Sequence, residues 1–230
     1  MKKFELTSEF ITNIFGTKLF RIKALIEFGN VKAGELGGFV EKEENLSQDG
    51  NAWVYDNARV YGDACVCGNA WVYDNARVYG DACVCGDARV YGDACVCGDA
   101  RVCGDACVCG NAWVYDNARV YGDARVCGDA RVYGDACVCG DARVCGDARV
   151  CGDACVYGDA GYATVHGFGS EYRTTTFFKT KAGDIGVKCG CFYGNLSEFR
   201  KKVVETHGET KKAKEYLMLA DLMEFRLTHK

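Results

Sequence analysis

The sequence predicts an all-β solenoid with a cap at one end and a small ββαα module at the other. Two observations predict it: a six-residue period that runs unbroken through the middle of the chain, and an alternation inside each period that puts every second residue on one face of a strand. Composition agrees with a soluble globular protein, at 49% apolar and 26% charged residues over 230 positions.

From Gly50 to Ala160 the hexads read Gly/Asp-Asp/Asn-Ala-x-Val-x, with valine at Val54 and every sixth position to Val156, eighteen in all. A helix would need apolar residues at a 3.6-residue period. Here Ala and Val stand two apart, so both point inward and the two x residues point outward. The Gly-Asp or Gly-Asn pair that follows supplies a corner, because Gly, Asn and Asp tolerate left-handed backbone. Three hexads close one triangular coil, and eighteen make six coils on the order of 30 Å long at a strand spacing of ~4.8 Å.

An 18-residue coil sorts the outward residues into three faces. The first carries Trp53, Trp71, Arg89 and Cys107 beside Tyr55, Tyr73, Tyr91 and Cys109. The second carries Arg59, Arg77, Cys95, Trp113 and Arg131 beside Tyr61, Tyr79, Cys97, Tyr115 and Tyr133. The third, richest in cysteine, carries Cys65, Cys83, Arg101, Arg119 and Cys137 beside Cys67, Cys85, Cys103, Tyr121 and Cys139. On this register all fifteen solenoid cysteines are expected to face solvent.

Residues 1–49 read as a cap and entry coil, since a bare solenoid end would expose unpaired strand edges. Phe10 to Phe15 and Lys18 to Ile22 are expected to form a hairpin around Gly16-Thr17. The solenoid proper is assigned to 50–168 and the C-terminal module to 169–230. In that module Tyr172 to Thr180 and Ile185 to Tyr193 are expected to be strands. Asn195 or Ser197 is expected to cap a helix ending near Thr206 before Gly208, and a second helix over about 210–227 carries Tyr216, Leu217, Ala220, Met223 and Leu227 on one face.

The repeat resembles the hexapeptide-repeat, left-handed β-helix superfamily, and the handedness is what that resemblance implies. The stretch RIKALIEFGNVKAGELGGFVEKEENLSQDGNAWVYDNA (21–58) is similar to the start of bacterial hexapeptide-repeat proteins labelled as acyltransferases. The segment TTTFFKTKAGDIGVKCGCFYGNLSEFRKKVVETHG (174–208) resembles a module carried by phage and prophage proteins, which implies a mobile-element origin.

Function is weighed between three classes. Acyl transfer on this fold uses a histidine base, and the eighteen hexads hold none. The three histidines are His166, His207 and His229, of which His166, just past the last regular coil, is the candidate. Metal binding is suggested by Cys-x-Cys pairs at Cys65/Cys67, Cys83/Cys85, Cys95/Cys97, Cys107/Cys109, Cys137/Cys139 and Cys189/Cys191. Sulfurs spread over a flat sheet are not expected to converge tetrahedrally, so no metal, cofactor or catalytic residue is assigned.

The third reading treats the surface itself as the function. Trp53, Tyr55, Arg59, Tyr61, Trp71, Tyr73, Arg77, Tyr79, Arg89, Tyr91, Trp113, Tyr115, Arg119, Tyr121, Arg131 and Tyr133 are the side-chain types most enriched at binding hot spots. Residues 51–160 hold 16 Asp and 9 Arg with no Lys or Glu, for −7, whereas residues 161–230 carry +4. That balance argues against the solenoid gripping phosphates unaided. It fits a basic protein partner, with direct nucleic-acid contact left to the lysines of the tail. The sequence therefore points to a non-enzymatic, cytoplasmic solenoid, phage-encoded by resemblance, that binds a protein such as a bacterial defence nuclease. An acyltransferase and a self-assembling scaffold, with homo-oligomers, stay open as alternatives.

Overall fold

A computed structural model describes residues 2–169 and 173–228; His229 and the first residue of the expected strand at Tyr172 lie outside the described residues. An N-terminal hairpin, β1 (Phe4–Thr12) and β2 (Lys18–Ala24), is followed by β3 (Leu36–Val40). Next come the eighteen short strands β4–β21, one per hexad, from Trp53–Val54 to Cys155–Tyr157. Each strand pairs in parallel with the strand one coil away in perfect 18-residue register, as in Trp53 opposite Trp71 and Val54 opposite Val72. The result is a parallel β-solenoid with three sheets.

The predicted register holds throughout. Every valine from Val54 to Val156 is fully buried, and so is nearly all of each alanine two residues before it. Columns of Ala and Val from all three sheets fill the bore, which is why the hexad needs no larger apolar residue. Corner glycines carry positive φ values near 70°, and three corners use Asp56, Asp74 and Asp116 in the same left-handed backbone at φ 51°, 59° and 58°. At Gly128 an added Cβ would fall 3.0 Å from the Gly146 amide of the next coil, so glycine serves close stacking as well as the turn.

The coils have a direction, and both ends answer to it. Each coil's N–H groups donate to carbonyls of the next, as Arg59 does to Ala76 at 2.9 Å. The first coil therefore presents carbonyls to the cap and the last coil presents N–H groups to the module. At the first end Phe39, Glu41 and Ser47 donate backbone bonds to Ala58, Val60 and Val66, while Asn45 Nδ2 donates to Gly62 and Ala64 and Lys3 Nζ to Ala52. Val40 and Leu46 lie in register with Val60 and Val66, so residues 36–46 form the expected entry coil and bring the solenoid to about seven turns. Gly37 lets β3 approach, since a Cβ there would sit 2.5 Å from the Val54 carbonyl oxygen. At the other end the Arg149 N–H donates to Thr176 Oγ1 at 3.0 Å and the Cys145 N–H to the Tyr162 hydroxyl at 3.3 Å, and fully buried Phe178 closes the bore.

Two elements differ from expectation. The N-terminal hairpin begins at Phe4 rather than Phe10 and turns over Asn13, whose Oδ1 accepts from Phe15 and Thr17 N–H groups. The C-terminal module contains a four-stranded antiparallel sheet: β22 (Tyr162–Val165), β23 (Thr175–Lys179), β24 (Ile185–Cys189) and β25 (Phe192–Asn195). The single strand expected over Ile185 to Tyr193 is broken at Gly190-Cys191, where Gly190 takes φ 57° and lets Cys189 pair with Phe192. Helix α1 (Leu196–His207) starts with Asn195 and Glu198 in a reciprocal capping box, and α2 (Lys211–Thr228) buries Ala213, Tyr216, Ala220, Met223 and Leu227. No helix among the described residues is long and apolar enough to cross a membrane.

Candidate functional site

The coil positions the surface residues in rows, and only some of the predicted ones come together. Tyr55, Trp71, Tyr73 and Arg89 surround an open cavity of about 420 Å³ on the first face, completed by Asn30 from the cap and by Asp56 at a corner. The Tyr55 and Trp71 rings meet edge to face at 5.8 Å, and the Arg89 guanidinium stands 5.6 Å from the Trp71 ring. Tyr91 extends the wall, stacked on Tyr73 at 4.8 Å with planes 7° apart. Burial, aided by the Glu35 and Asp56 carboxylates, pushes the Tyr55 phenol up, and burial does the same at Tyr73, so both rings present neutral hydroxyls.

The other predicted residues lie elsewhere. Arg59, Tyr61, Arg77 and Tyr79 occupy the cap end of the second face, where Tyr61 and Tyr79 stack at 5.0 Å. Trp113, Tyr115, Arg131 and Tyr133 sit farther along that face, with Tyr115 and Tyr133 stacked at 5.0 Å. Arg119 and exposed Tyr121 belong to the third face. The sixteen residues thus form separate patches.

Trp53 is a correction. The hexad register places it on the outer surface, yet it is 0% exposed, clamped between Phe4 at 6.1 Å and Phe28 at 5.3 Å beneath the cap, with no partner for its indole N–H among the described residues. Its hexad position does point out of the bore, but the N-terminal hairpin and the 28–31 bridge cover it. Asn30 and Asp56 join the cavity from outside the outward rows of the hexads. The signal for Asp56 was the replacement of a corner glycine by Asp; Asn30 lies in the aperiodic cap and gave none.

The cysteines are a second correction. Cys95, Cys97, Cys137, Cys139 and Cys151 are buried although they point away from the bore. A thiol is shorter than the Tyr and Arg side chains in adjacent coils, which fold over it. Tyr79 stands close enough to Cys95 and Cys97, and Tyr121 to Cys137 and Cys139, for the thiols to push each phenol up, at Tyr79 in addition to the larger effect of burial. Hydrogen bonding from Cys95 holds the Cys97 thiol down to about 7, but that residue is only 8% exposed. Burial pushes the Cys67 thiol up to about 11 and the Cys85 thiol up to about 12, so neither is a ready nucleophile. The sulfurs also converge more than a flat sheet suggests: those of Cys67, Cys83 and Cys85 lie within 4.8 Å of one another, as do those of Cys137, Cys139 and Cys155.

His166 is exposed between β22 and β23, its Nδ1 3.1 Å from Thr174 Oγ1. His207 stacks on Tyr216 and lines a cavity of about 300 Å³ in the C-terminal module, together with Arg173, Cys189, Cys191 and Phe199. Neither is presented by a coil.

Stacked parallel hexads of this kind define a hexapeptide-repeat-like β-solenoid protein. Sequence comparison sharpens the class: the repeat family described as the YdcK β-solenoid repeat matches residues 52–68, 70–86, 112–128 and 124–140. The chain is also similar to the protein named uncharacterized acetyltransferase YdcK of Escherichia coli strain K12, at 39% identity over 74 residues. That match covers 29% of this chain and 23% of the relative, so the chain spans less than a quarter of the relative's length.

Proposed function

We propose that the protein is a non-enzymatic binding protein whose contact surface is centred on the cavity between Tyr55, Trp71, Tyr73 and Arg89. One observation carries this reading: cap and coils together frame a concave patch built from the residue types that dominate binding hot spots. The sheet beneath is rigid, so little side-chain or backbone freedom is lost on association. The partner is a protein with a basic contact region. Aspartates stand at the corners of all three faces, the solenoid carries −7, and the Asp56 carboxylate beside two Tyr rings suits an inserted Lys or Arg side chain. A host protein that ordinarily holds nucleic acid, such as a bacterial defence nuclease, has that chemistry.

The test is capture by the intact protein from host lysate, repeated with Trp71→Ala and Trp113→Ala. A stoichiometric partner that is lost with Trp71→Ala and kept with Trp113→Ala supports the reading. Recovery of no stoichiometric partner, or equal capture by Trp71→Ala, overturns it.

The name of the relative favours a second reading, acyl transfer, with His166 as base and an acetyl-coenzyme A donor. Turnover of acetyl-coenzyme A that is abolished by His166→Ala would establish it, and absence of turnover ends it.

A further inference from the structure

The third face holds a group of side chains that neither reading uses. Residues 51–68 and 69–86 are two consecutive coils of identical sequence, so their Cys-Val-Cys strands stack directly. Cys65 lies opposite Cys83, and the sulfurs of Cys67, Cys83 and Cys85 all fall within 4.8 Å of one another. Three atoms so spaced share a point no more than about 2.8 Å from each, and a metal–thiolate bond is about 2.3 Å. Closing that gap asks each sulfur to move by roughly 0.5 Å, a small adjustment of χ1 within its rotamer well.

The backbone beneath is already fixed. The N–H groups of Cys65, Cys67, Cys83 and Cys85 donate ladder bonds to Ala82, Val84, Ala100 and Val102 at 2.9–3.0 Å. Binding therefore costs little reorganisation of the chain. The group contains three sulfurs and no carboxylate or imidazole, and it is half-buried. Zinc in a structural site closes a tetrahedron of four ligands, whereas an all-sulfur donor set of three selects a soft ion.

We propose that Cys67, Cys83 and Cys85 form a three-coordinate copper(I) site, in which the thiols release protons to solvent as the ion binds. The ion enters as copper(I), so no electron is exchanged. A second three-thiol group, Cys137, Cys139 and Cys155, stands farther along the same face and serves as an internal reference.

The experiment uses the full chain, fully reduced and anaerobic, titrated with copper(I) against a colorimetric copper(I) chelator. The compared variants are the triple substitution Cys67→Ser, Cys83→Ser and Cys85→Ser, and the control Cys145→Ser/Cys191→Ser, which changes two exposed thiols. Circular dichroism confirms that each variant keeps its β signal. The expected result is that the triple variant withdraws one equivalent fewer from the chelator than the wild type and the control. X-ray absorption of the wild type should show sulfur-only, three-coordinate copper. Equal uptake by the triple variant and the wild type overturns the site. So does preferential uptake of zinc with four-sulfur coordination. A triple variant that loses its β signal is replaced by Cys67→Ser alone, which must also lose one equivalent.

Discussion

Residues 51–64 and 111–124 have the same sequence, NAWVYDNARVYGDA, and fold into the same two hexads, yet their tryptophans live in different worlds. Trp53 is 0% exposed under the cap; Trp113 is 39% exposed on an open sheet. A third copy at 69–82 places Trp71 between these extremes, half-covered beside the cap and forming one wall of the candidate cavity. In a solenoid each coil meets only its neighbours. The hexad decides which way a side chain points, and the neighbouring element decides whether it becomes core, site or surface.

The sharpest way to break this comparison is to truncate the same residue in each copy. Trp53→Ala leaves a void lined by Phe4 and Phe28, and the expected loss is about 3–5 kcal/mol. The check is urea unfolding followed by far-UV circular dichroism, with amide exchange reporting whether the cap opens first. A loss under about 1 kcal/mol would mean that the cap does not rest on this ring. For Trp71→Ala the expectation is reversed in kind. Its stability cost is modest because solvent replaces part of the contact, while affinity for the partner should fall by about 2 kcal/mol, roughly thirtyfold. Calorimetric titration of the partner against wild type and variant measures that difference.

This division marks what was legible in the sequence. The bore was readable to the residue, because Ala and Val two apart at a fixed period admit one register on a strand. The grouping of Tyr55, Trp71, Tyr73 and Arg89 was equally present in the 18-residue coil. What period alone could not convey is what lies over an outward residue. Trp53 is covered by aperiodic cap segments, Asn30 comes from such a segment, and Cys95 is shaded by the longer Tyr79. The break at Gly190-Cys191 was hidden for another reason: Ile185 to Tyr193 is apolar enough to read as one strand, and a single glycine does not announce a hairpin.

A smaller effect tests how the cap meets the first coil. Lys3 Nζ donates to the Ala52 carbonyl at 3.0 Å and lies 4.9 Å from the Phe28 ring, and desolvation lowers its pKa to about 8. Between pH 8 and the ordinary lysine value near 10.4 the unfolded chain keeps a proton that the folded chain has released. Unfolding there takes up a proton, so this group's contribution to stability rises with pH across that window; below pH 8 its penalty is full and constant. Comparing urea midpoints of wild type and Lys3→Met at pH 7.5 and pH 10 isolates the term from the titrating thiols and phenols. The expected gain of wild type over variant is on the order of 2 kcal/mol, since Lys3 is only 2% exposed and little screened by solvent. No difference in slope would show that the ammonium group is solvated and that the cap is looser than its hydrogen bonds imply.

The least effect belongs to Trp113, and it is the most demanding check on the idea that neighbours decide. This ring touches Tyr115 edge-on at 6.5 Å and lies in register between Cys95 and Arg131, with no element packed over it. Its Cβ remains in Trp113→Ala, the backbone ladder from Trp113 to Ala130 is untouched, and Val114 still fills the bore. Stability should therefore change by no more than about 0.5 kcal/mol, as for most open surface positions. Partner affinity should hold as well, since the cavity lies on another face. A substantial loss of affinity in this variant would move the contact surface from the first face to the second, while the same loss in Trp71→Ala alone keeps it beside the cap.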